Sequence, residues 1–298
     1  MALAVVNSSL RRRERFVPYL FILPALIGLL TFEISPFFEA FSETLNPPNA
    51  ITGITHFVGL GEYRVLFSDP NFTHSILVTL LFAALVNPIQ VAISLLLALA
   101  VLKKGVRSSV FRVLYFLPVG SSLTVASVIW GVILSPNGGL ANGLLHAAHL
   151  PSQQFFSSPH EALWSIILLA SWNGCGYWMV FFLAGLNEID PLLYEAASVD
   201  GAGVVAKFFH VTMPSLTRMM AFVFVADTVS NFLLFAPVFI LTEGGPSGST
   251  NLLMYYAYAH AFADNELGLG LAASIILLIV VMAFVIVELR MMRGEAVE

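Results

Sequence analysis

The stretch Asp190-Pro191-Leu192-Leu193-Tyr194-Glu195-Ala196-Ala197-Ser198-Val199-Asp200-Gly201 reads as a short helix with both of its ends specified. Asp190 is a good N-cap, and Pro191 suits the first helical position because its missing N–H has no partner there anyway. The run 192–199 is then helical, and Gly201 is placed to end it in a left-handed conformation. A second amphipathic turn over 204–211 carries Phe208 and Phe209 before Pro214, which is expected to stop it. The two pieces are too short to cross a membrane and too apolar to stand free in water. Exposed apolar surface on such a helix-turn-helix marks a protein interface.

Outward from this loop the chain is more apolar still. Of 298 residues, 58% are hydrophobic and only 10% charged, with a mean hydropathy of +0.87. A soluble domain is about 25% charged, so this composition describes an integral membrane protein. A spanning helix needs about 20 mostly apolar residues. Six runs qualify: 17–41, 75–102, 110–134, 162–186, 219–241 and 267–287. The first is too long for the apolar core of a signal peptide and is closed by no small-x-small cleavage site, so it is expected to stay in the mature chain. The expected organisation is a basic segment 1–16, one membrane domain 17–288 with the special loop at 187–216, and a tail 289–298.

The basic residues set the orientation, because cytoplasmic loops hold the excess of Lys and Arg. Both termini share one side with the second and fourth loops. That side carries Arg11, Arg12, Arg13, Arg15, Lys103, Lys104, Arg107, Arg112, Lys207, Arg218, Arg290 and Arg293, which leaves only Arg64 of the 13 on the other. Both termini are therefore expected in the cytoplasm. The opposite loops are rich in turn formers, such as Asn46-Pro47-Pro48-Asn49 and Ser135-Pro136-Asn137-Gly138-Gly139.

Several chemistries are excluded by what is missing. The single cysteine, Cys175, supports no disulfide framework and no CxxC motif, and its apolar setting describes an inert buried thiol. The seven histidines show no HExxH or paired-ligand spacing, so no metal is expected. No GxSxG and no P-loop GxxxxGK[ST] occurs. Any ATP hydrolysis therefore belongs to another chain, and no catalytic residue is proposed. An internal repeat with paired broken helices, which a self-contained secondary transporter would show, is not evident. That class stays as the alternative.

Polar residues inside spans are candidates for function, since an unpaired charge at the bilayer centre costs at least ~2.5 kcal/mol. Glu33 and Glu39 lie in the first span, Glu39 near its outer end. Asn87-Pro88 interrupts the second, where the expected role is a kink whose amide re-satisfies freed backbone. Asn173, beside Trp172 and flanked by Gly174 and Gly176, interrupts the fourth. Asp227 and Asn231 lie one helical turn apart on one face of the fifth. Trp172, Asn173, Asp227 and Asn231 are the candidate pathway residues. Hydroxyl-pairing groups with aromatic rings suit a polyhydroxylated substrate. Trp172 as plain packing, and Asp227 with Asn231 as glue to a partner chain, remain open.

The loop also resembles a known pattern. Glu195-Ala196-Ala197, three residues, Gly201, nine residues, then Val211-Thr212-Met213-Pro214 is similar to the EAA loop of bacterial ABC importer permeases, with Val and Met in place of that family's Ile and Leu. Phe57-Val58-Gly59-Leu60-Gly61-Glu62-Tyr63, Phe111-Arg112 with Phe116-Leu117-Pro118, and Leu241-Thr242 with Gly244-Gly245-Pro246 and Ser249-Thr250 are similar to the maltose and glycerol-phosphate permease group.

The resemblance implies an all-α, six-span permease of the type I importer fold in the bacterial inner membrane. Its implied partners are a second, related permease, two ATPase subunits and an extracytoplasmic substrate-binding protein, with no nucleic acid. It implies no cofactor on this chain, ATP and Mg²⁺ being used by the ATPase. The EAA helix of that family docks into a cleft on the ATPase. By that resemblance Tyr194, Glu195, Ala196, Ala197, Asp200, Gly201, Lys207, Phe208 and Pro214 are the coupling residues. Glu195 and Asp200 either pair with basic groups on the ATPase or cap their own helix. Lys207 matches a frequently basic position of the family, while Ala206 departs from a frequent Gln. The resemblance favours a sugar or oligosaccharide as substrate, with glycerol-3-phosphate or a phosphodiester next. A phosphate would usually want basic groups in the pathway, and the spans hold no Lys or Arg away from their ends.

Overall fold

The computed structural model describes residues 19–48, 53–103 and 105–294. Expectations placed on the segment 1–16, on Lys104, on the Arg293 side chain and on residues 295–298 lie outside the described residues. Apart from one isolated bridge between Pro48 and Thr55, the described secondary structure is helical.

Five helices are long and apolar enough to cross a membrane. They are α1 (Tyr19–Leu45), α3 (Pro70–Ala100), α7 (Ala162–Glu188), the α10 and α11 run (Thr217–Leu241), and α13, whose apolar part is Leu267–Met291. Before α3 comes the short α2 (Gly61–Ser68), and the Asp69 carboxylate starts α3 by accepting the Asn71 N–H at 2.9 Å, with Pro70 next to it. Several helices extend beyond the expected spans. α1 runs to Leu45, α3 begins at Pro70, and the last helix continues to Gly294.

The third expected span, 110–134, is not a rod. The segment Val106–Gly120 contains α4 (Val106–Phe116) and a tight turn Leu117–Gly120, and it meets α5 (Leu123–Ile133) at 99°. Local chemistry explains the break. Pro118 and Gly120 weaken the helix, and Ser122 opens a new one by accepting the Val125 N–H at 3.2 Å. Counted as one span, the bent pair makes six. Beyond it come α6 (Leu140–Ala147) and, after α7, the loop helices α8 (Pro191–Val199) and α9 (Val204–Lys207). α10 is Thr217–Phe232, α11 Ala236–Leu241, α12 Leu253–Tyr258 and α13 Leu267–Gly294.

α3 and α7 pack along each other at the centre, with α10 and α13 beside them. Three apolar clusters line these helices, two of them interleaved along α3 and the third nearer its C-terminal end. One gathers Leu66, Phe72, Phe232 and Leu253; the next Val86, Phe156, Ile166 and Val238; the last Ala98, Phe182, Leu216 and Val223. Small residues of α7 permit the close approaches, as expected where lipid offers helices little hydrophobic drive to associate. A Cβ on Gly176 would collide with the Tyr115 carbonyl, and one on Gly185 would press on Leu216 and Met219. By contrast, the apolar stretch of α1 has no buried residue. The end of that helix is anchored by Thr44, buried, whose hydroxyl lies 3.0 Å from the Tyr63 hydroxyl.

Candidate functional site

The loop after α7 folds largely as its sequence specifies. Asp190 Oδ1 accepts the Leu192 N–H at 2.9 Å, and Pro191 opens α8. Gly201 has φ +78°, and the Ala202 N–H reaches back to the Ala197 carbonyl at 2.8 Å, closing the helix end. Pro214, expected as a stop, is not one. A wide π-type turn over Phe208–Thr212 is followed by Met213–Ser215, so Pro214 falls in a first helical turn, where its missing N–H loses no bond.

The coupling candidates divide by burial. In α8 no residue is buried; Leu192, Leu193 and Val199 are exposed, as are Glu195, Ala196 and, at the C-cap, Asp200. Neither Glu195 nor Asp200 makes a side-chain bond within the loop, so the self-capping alternative for both is not realised. Tyr194 and Ala197 are half-buried, and the Tyr194 hydroxyl lies 2.9 Å from Thr212 Oγ1. Lys207 Nζ donates to Ser198 Oγ at 2.6 Å, tying α9 to α8. Phe208 packs inward beside Val211, edge-on to Phe209 with ring centres 5.0 Å apart.

The second place of interest lies between α3, α7 and α10. A cavity of about 410 Å³ is lined by Gln90, Asn173, Tyr177, Trp178, Asp227, Ser230 and Asn231 together with apolar neighbours. Asp227 and Asn231 share one face as expected, with Asn231 Nδ2 3.1 Å from Asp227 Oδ1. Trp178 donates its indole N–H to the same carboxylate oxygen at 2.6 Å. Asn231 Nδ2 also donates to Asn87 Oδ1 at 2.9 Å and lies 3.2 Å from Gln90 Oε1.

Behind the cavity the network continues. Asn87 Nδ2 donates to Thr228 Oγ1, and the Thr228 hydroxyl donates to Glu288 Oε1, both at 2.7 Å. Four helices are thus joined by buried polar side chains. Asp227 Oδ2 and Glu288 Oε2 are buried with no partner among the described residues.

Three expectations change here. α3 runs unbroken through Asn87-Pro88, and the Asn87 side chain serves this network rather than the backbone freed by Pro88. α7 runs unbroken through Asn173, because that side chain leaves its own helix to donate to the Pro118 carbonyl at 3.0 Å. Trp172 does not line the cavity. It faces a separate apolar hollow with Ile93, Leu97 and Pro118, and its ring meets Trp130 edge-on at 5.6 Å. Sequence reasoning missed Gln90, Tyr177, Trp178, Thr228 and Glu288. Their only signal was polarity or aromaticity inside an apolar run. Cys175 is buried, as expected.

The motif residues Thr242, Gly245 and Thr250 form one knot. The buried Thr250 hydroxyl donates to the Gly245 carbonyl at 2.6 Å and lies 2.7 Å from Thr242 Oγ1. Nearby, His260 Nδ1 sits 3.3 Å from Asp264 and 3.1 Å from Glu266, so the three ligand-type groups are already paired with each other. Burial, then the Glu266 charge, hold the Glu62 carboxyl above its usual range.

Comparison with known proteins gives a consistent picture. Residues 15–292 match the family described as "Binding-protein-dependent transport system inner membrane component". The chain is 36% identical over 251 residues to the "Probable ABC transporter permease protein YurN" of Bacillus subtilis, covering 83% of this chain and 85% of that one. It is 31% identical over 248 residues to the "Arabinooligosaccharides transport system permease protein AraP" of the same organism, covering 82% and 78%. In fold it is similar to a chain of the bacterial alginate ABC transporter solved in complex with an alginate pentasaccharide-bound periplasmic protein. That similarity has a TM-score of 0.82 at 22% identity, covering 96% of each chain.

Proposed function

Since the chain belongs to the binding-protein-dependent transport system inner membrane components, the permease subunits of ABC importers, we propose that it forms half of a translocation pathway for a neutral sugar or oligosaccharide. The other half comes from a second, related permease. An ATPase subunit docks on α8 from the cytoplasm, where both termini also lie, and an extracytoplasmic binding protein delivers the substrate. The chain itself is not an enzyme.

The observation that carries the substrate reading is the lining of the cavity. Gln90, Asn173, Asp227, Ser230 and Asn231 offer donors and acceptors suited to hydroxyl groups, and Tyr177 and Trp178 offer flat faces. Among the described residues no Lys, Arg or His lines it, which disfavours a phosphate-bearing substrate. AraP, named for arabinooligosaccharides, agrees with that class. Support for the docking surface comes from α8, a well-capped helix that leaves Leu192, Leu193 and Val199 exposed. Closure of the ATPase pair would then rock the permease halves as rigid bodies.

The test is affinity purification of the tagged chain from native membranes in mild detergent, followed by mass spectrometry. An ATPase, a second permease and, on cross-linking, a binding protein with sugar affinity are expected. Purification of the chain without an ATPase in several detergents would refute the docking reading. A binding protein selective for a phosphate ester would refute the neutral-sugar reading.

A further inference from the structure

On the reading that α8 is the ATPase docking helix, its hold on the rest of the chain becomes the question, and that hold is narrow. Only Tyr194 and Ala197 of α8 are even half-buried. The Tyr194 ring packs beside Phe208 and Val211 against the cluster that contains Leu216 and Val223. Its hydroxyl meets Thr212 Oγ1 at 2.9 Å. The other side-chain tie, Lys207 to Ser198, is exposed to solvent and joins α8 only to α9.

Thr212 is 4% exposed and closes the π-type turn Phe208–Thr212. Three residues of helix and one bend separate it from α10, which carries Asp227 and Asn231. At its two ends α8 is bounded by a cap at Asp190 and a left-handed residue at Gly201. Ile189, just before the cap, is buried while Gly201 is exposed, which leaves the N-terminal end as a pivot. A push on α8 is absorbed by that pivot unless a third point fixes it. The phenol ring has two soft torsions, and a hydroxyl pair at its tip removes the remaining freedom.

We infer that the Tyr194–Thr212 hydroxyl pair is a positioning strut that passes displacement of α8 to the foot of α10, and so to the polar cavity. Neither residue needs to touch the ATPase or the substrate through this bond. Tyr194→Phe keeps the packed ring and the exposed face of α8 while removing the strut. Thr212→Val removes it from the other side, and Thr212→Ser retains it.

The experiment uses the complete complex purified through a tag on this chain, with Cys175→Ser and Ser230→Cys as a reporter lining the cavity on α10. Labelling of the reporter by a water-soluble maleimide is timed without nucleotide and with ATP plus vanadate. ATPase retention and basal ATP hydrolysis are measured alongside. The expected result is an ATP-dependent change in labelling rate that shrinks about three- to tenfold in Tyr194→Phe and in Thr212→Val, the range one hydrogen bond supports. Thr212→Ser should keep the change, the double variant should be no worse than either single one, and ATPase retention should be unaltered throughout.

An undiminished change in both single variants overturns the strut. Loss of the ATPase from both does so too, because the pair would then shape the docking surface instead of transmitting its movement. Failure of the parent complex to retain any ATPase would remove the docking reading itself, and the strut with it.

Discussion

Trp178 and Asp227 face each other across two helices, the indole N–H of one held 2.6 Å from Oδ1 of the other. The ring that walls the cavity therefore also fixes the only carboxylate among the cavity's lining residues. Asp227 Oδ2 has no hydrogen-bond partner among the described residues. On the proposed function, this carboxylate is the acidic group that a substrate hydroxyl would meet at the cavity wall.

Asp227→Ala is expected to reduce uptake by at least tenfold while the permease pair still co-purifies. Trp178→Phe, which keeps most of the ring and removes the donor, should cost about three- to twentyfold, following measured membrane hydrogen bonds of about 0.6 to 1.7 kcal/mol. Uptake in proteoliposomes and size-exclusion of the complex check both. Dissociation of the two permeases in Asp227→Ala would make this residue interhelical glue.

Gly201 has φ +78°, yet nothing stands within 4 Å of where its Cβ would be. The penalty of a side chain there is conformational rather than a collision. Asn tolerates that region and a β-branched residue does not. Gly201→Asn should keep most uptake, and Gly201→Val should abolish it with the chain still in the membrane. Normal transport by Gly201→Val would remove the loop from the coupling account.

Gly176 presents the opposite case. A Cβ there meets the backbone of Tyr115, which cannot swing aside as a side-chain tip could. Gly176→Ala should cost more than about 2 kcal/mol, in the range of overpacked cores, and lower the yield of folded chain in fluorescence-detected size-exclusion. Gly143, with nothing within 4 Å, is the control and should accept Ala without loss.

Glu288 accepts the Thr228 hydroxyl at 2.7 Å. Gln preserves an acceptor at that place, so Glu288→Gln should leave thermal stability in detergent near that of the parent. Glu288→Leu strands a buried hydroxyl and should cost about 1–2 kcal/mol. Equal melting temperatures for the two variants would argue against the network as a stabilising element.

Glu62 lies outside the spans, and its carboxyl is held above the usual range by burial and then by Glu266. Its charged form is the disfavoured one in the folded chain. Below the unfolded value, near 4.5, both states carry the proton and the charge costs nothing. As pH rises through the folded value, the stability contributed by the protonated form is lost. Glu62→Gln should thus melt slightly higher than the parent at neutral pH, with the gap closing near pH 4. A gap that widens on acidification would reverse the assignment.

Much of this was legible in the sequence because the responsible residues are local. Asp190, Pro191 and Gly201 specify α8 within a dozen positions, and long apolar runs specify the spans. What escaped depended on partners far along the chain. Averaged hydropathy treats 110–134 as uniform, so it cannot register that Ser122 starts a second helix. Asn87 and Asn173 look like interruptions by composition, but each spends its side chain on another element and leaves its own helix intact. Glu288 sits just past the apolar run and resembles a helix-end charge until the longer α13 carries it against Thr228. Trp172 and Trp178 are equivalent by type, and only helix rotation places the latter in the cavity.

The 99° turn after Gly120 also bears on how the chain is made. Its two arms measure about 22 and 16 Å at 1.5 Å per residue, each short of a hydrocarbon core of about 30 Å. Irregular backbone is tolerated inside a bilayer only when covered by protein. The cover arrives late: beyond the local bonds from Ser121, the Pro118 carbonyl takes its tie to α7 from Asn173, 55 residues downstream. During synthesis this segment should linger beside the insertion machinery until α7 emerges. Ribosome-arrested chains ending before residue 162 should cross-link to that machinery through residues near 120, and chains extended well past 188 should not. Release of the shorter chains would mean that the two arms settle in lipid unaided.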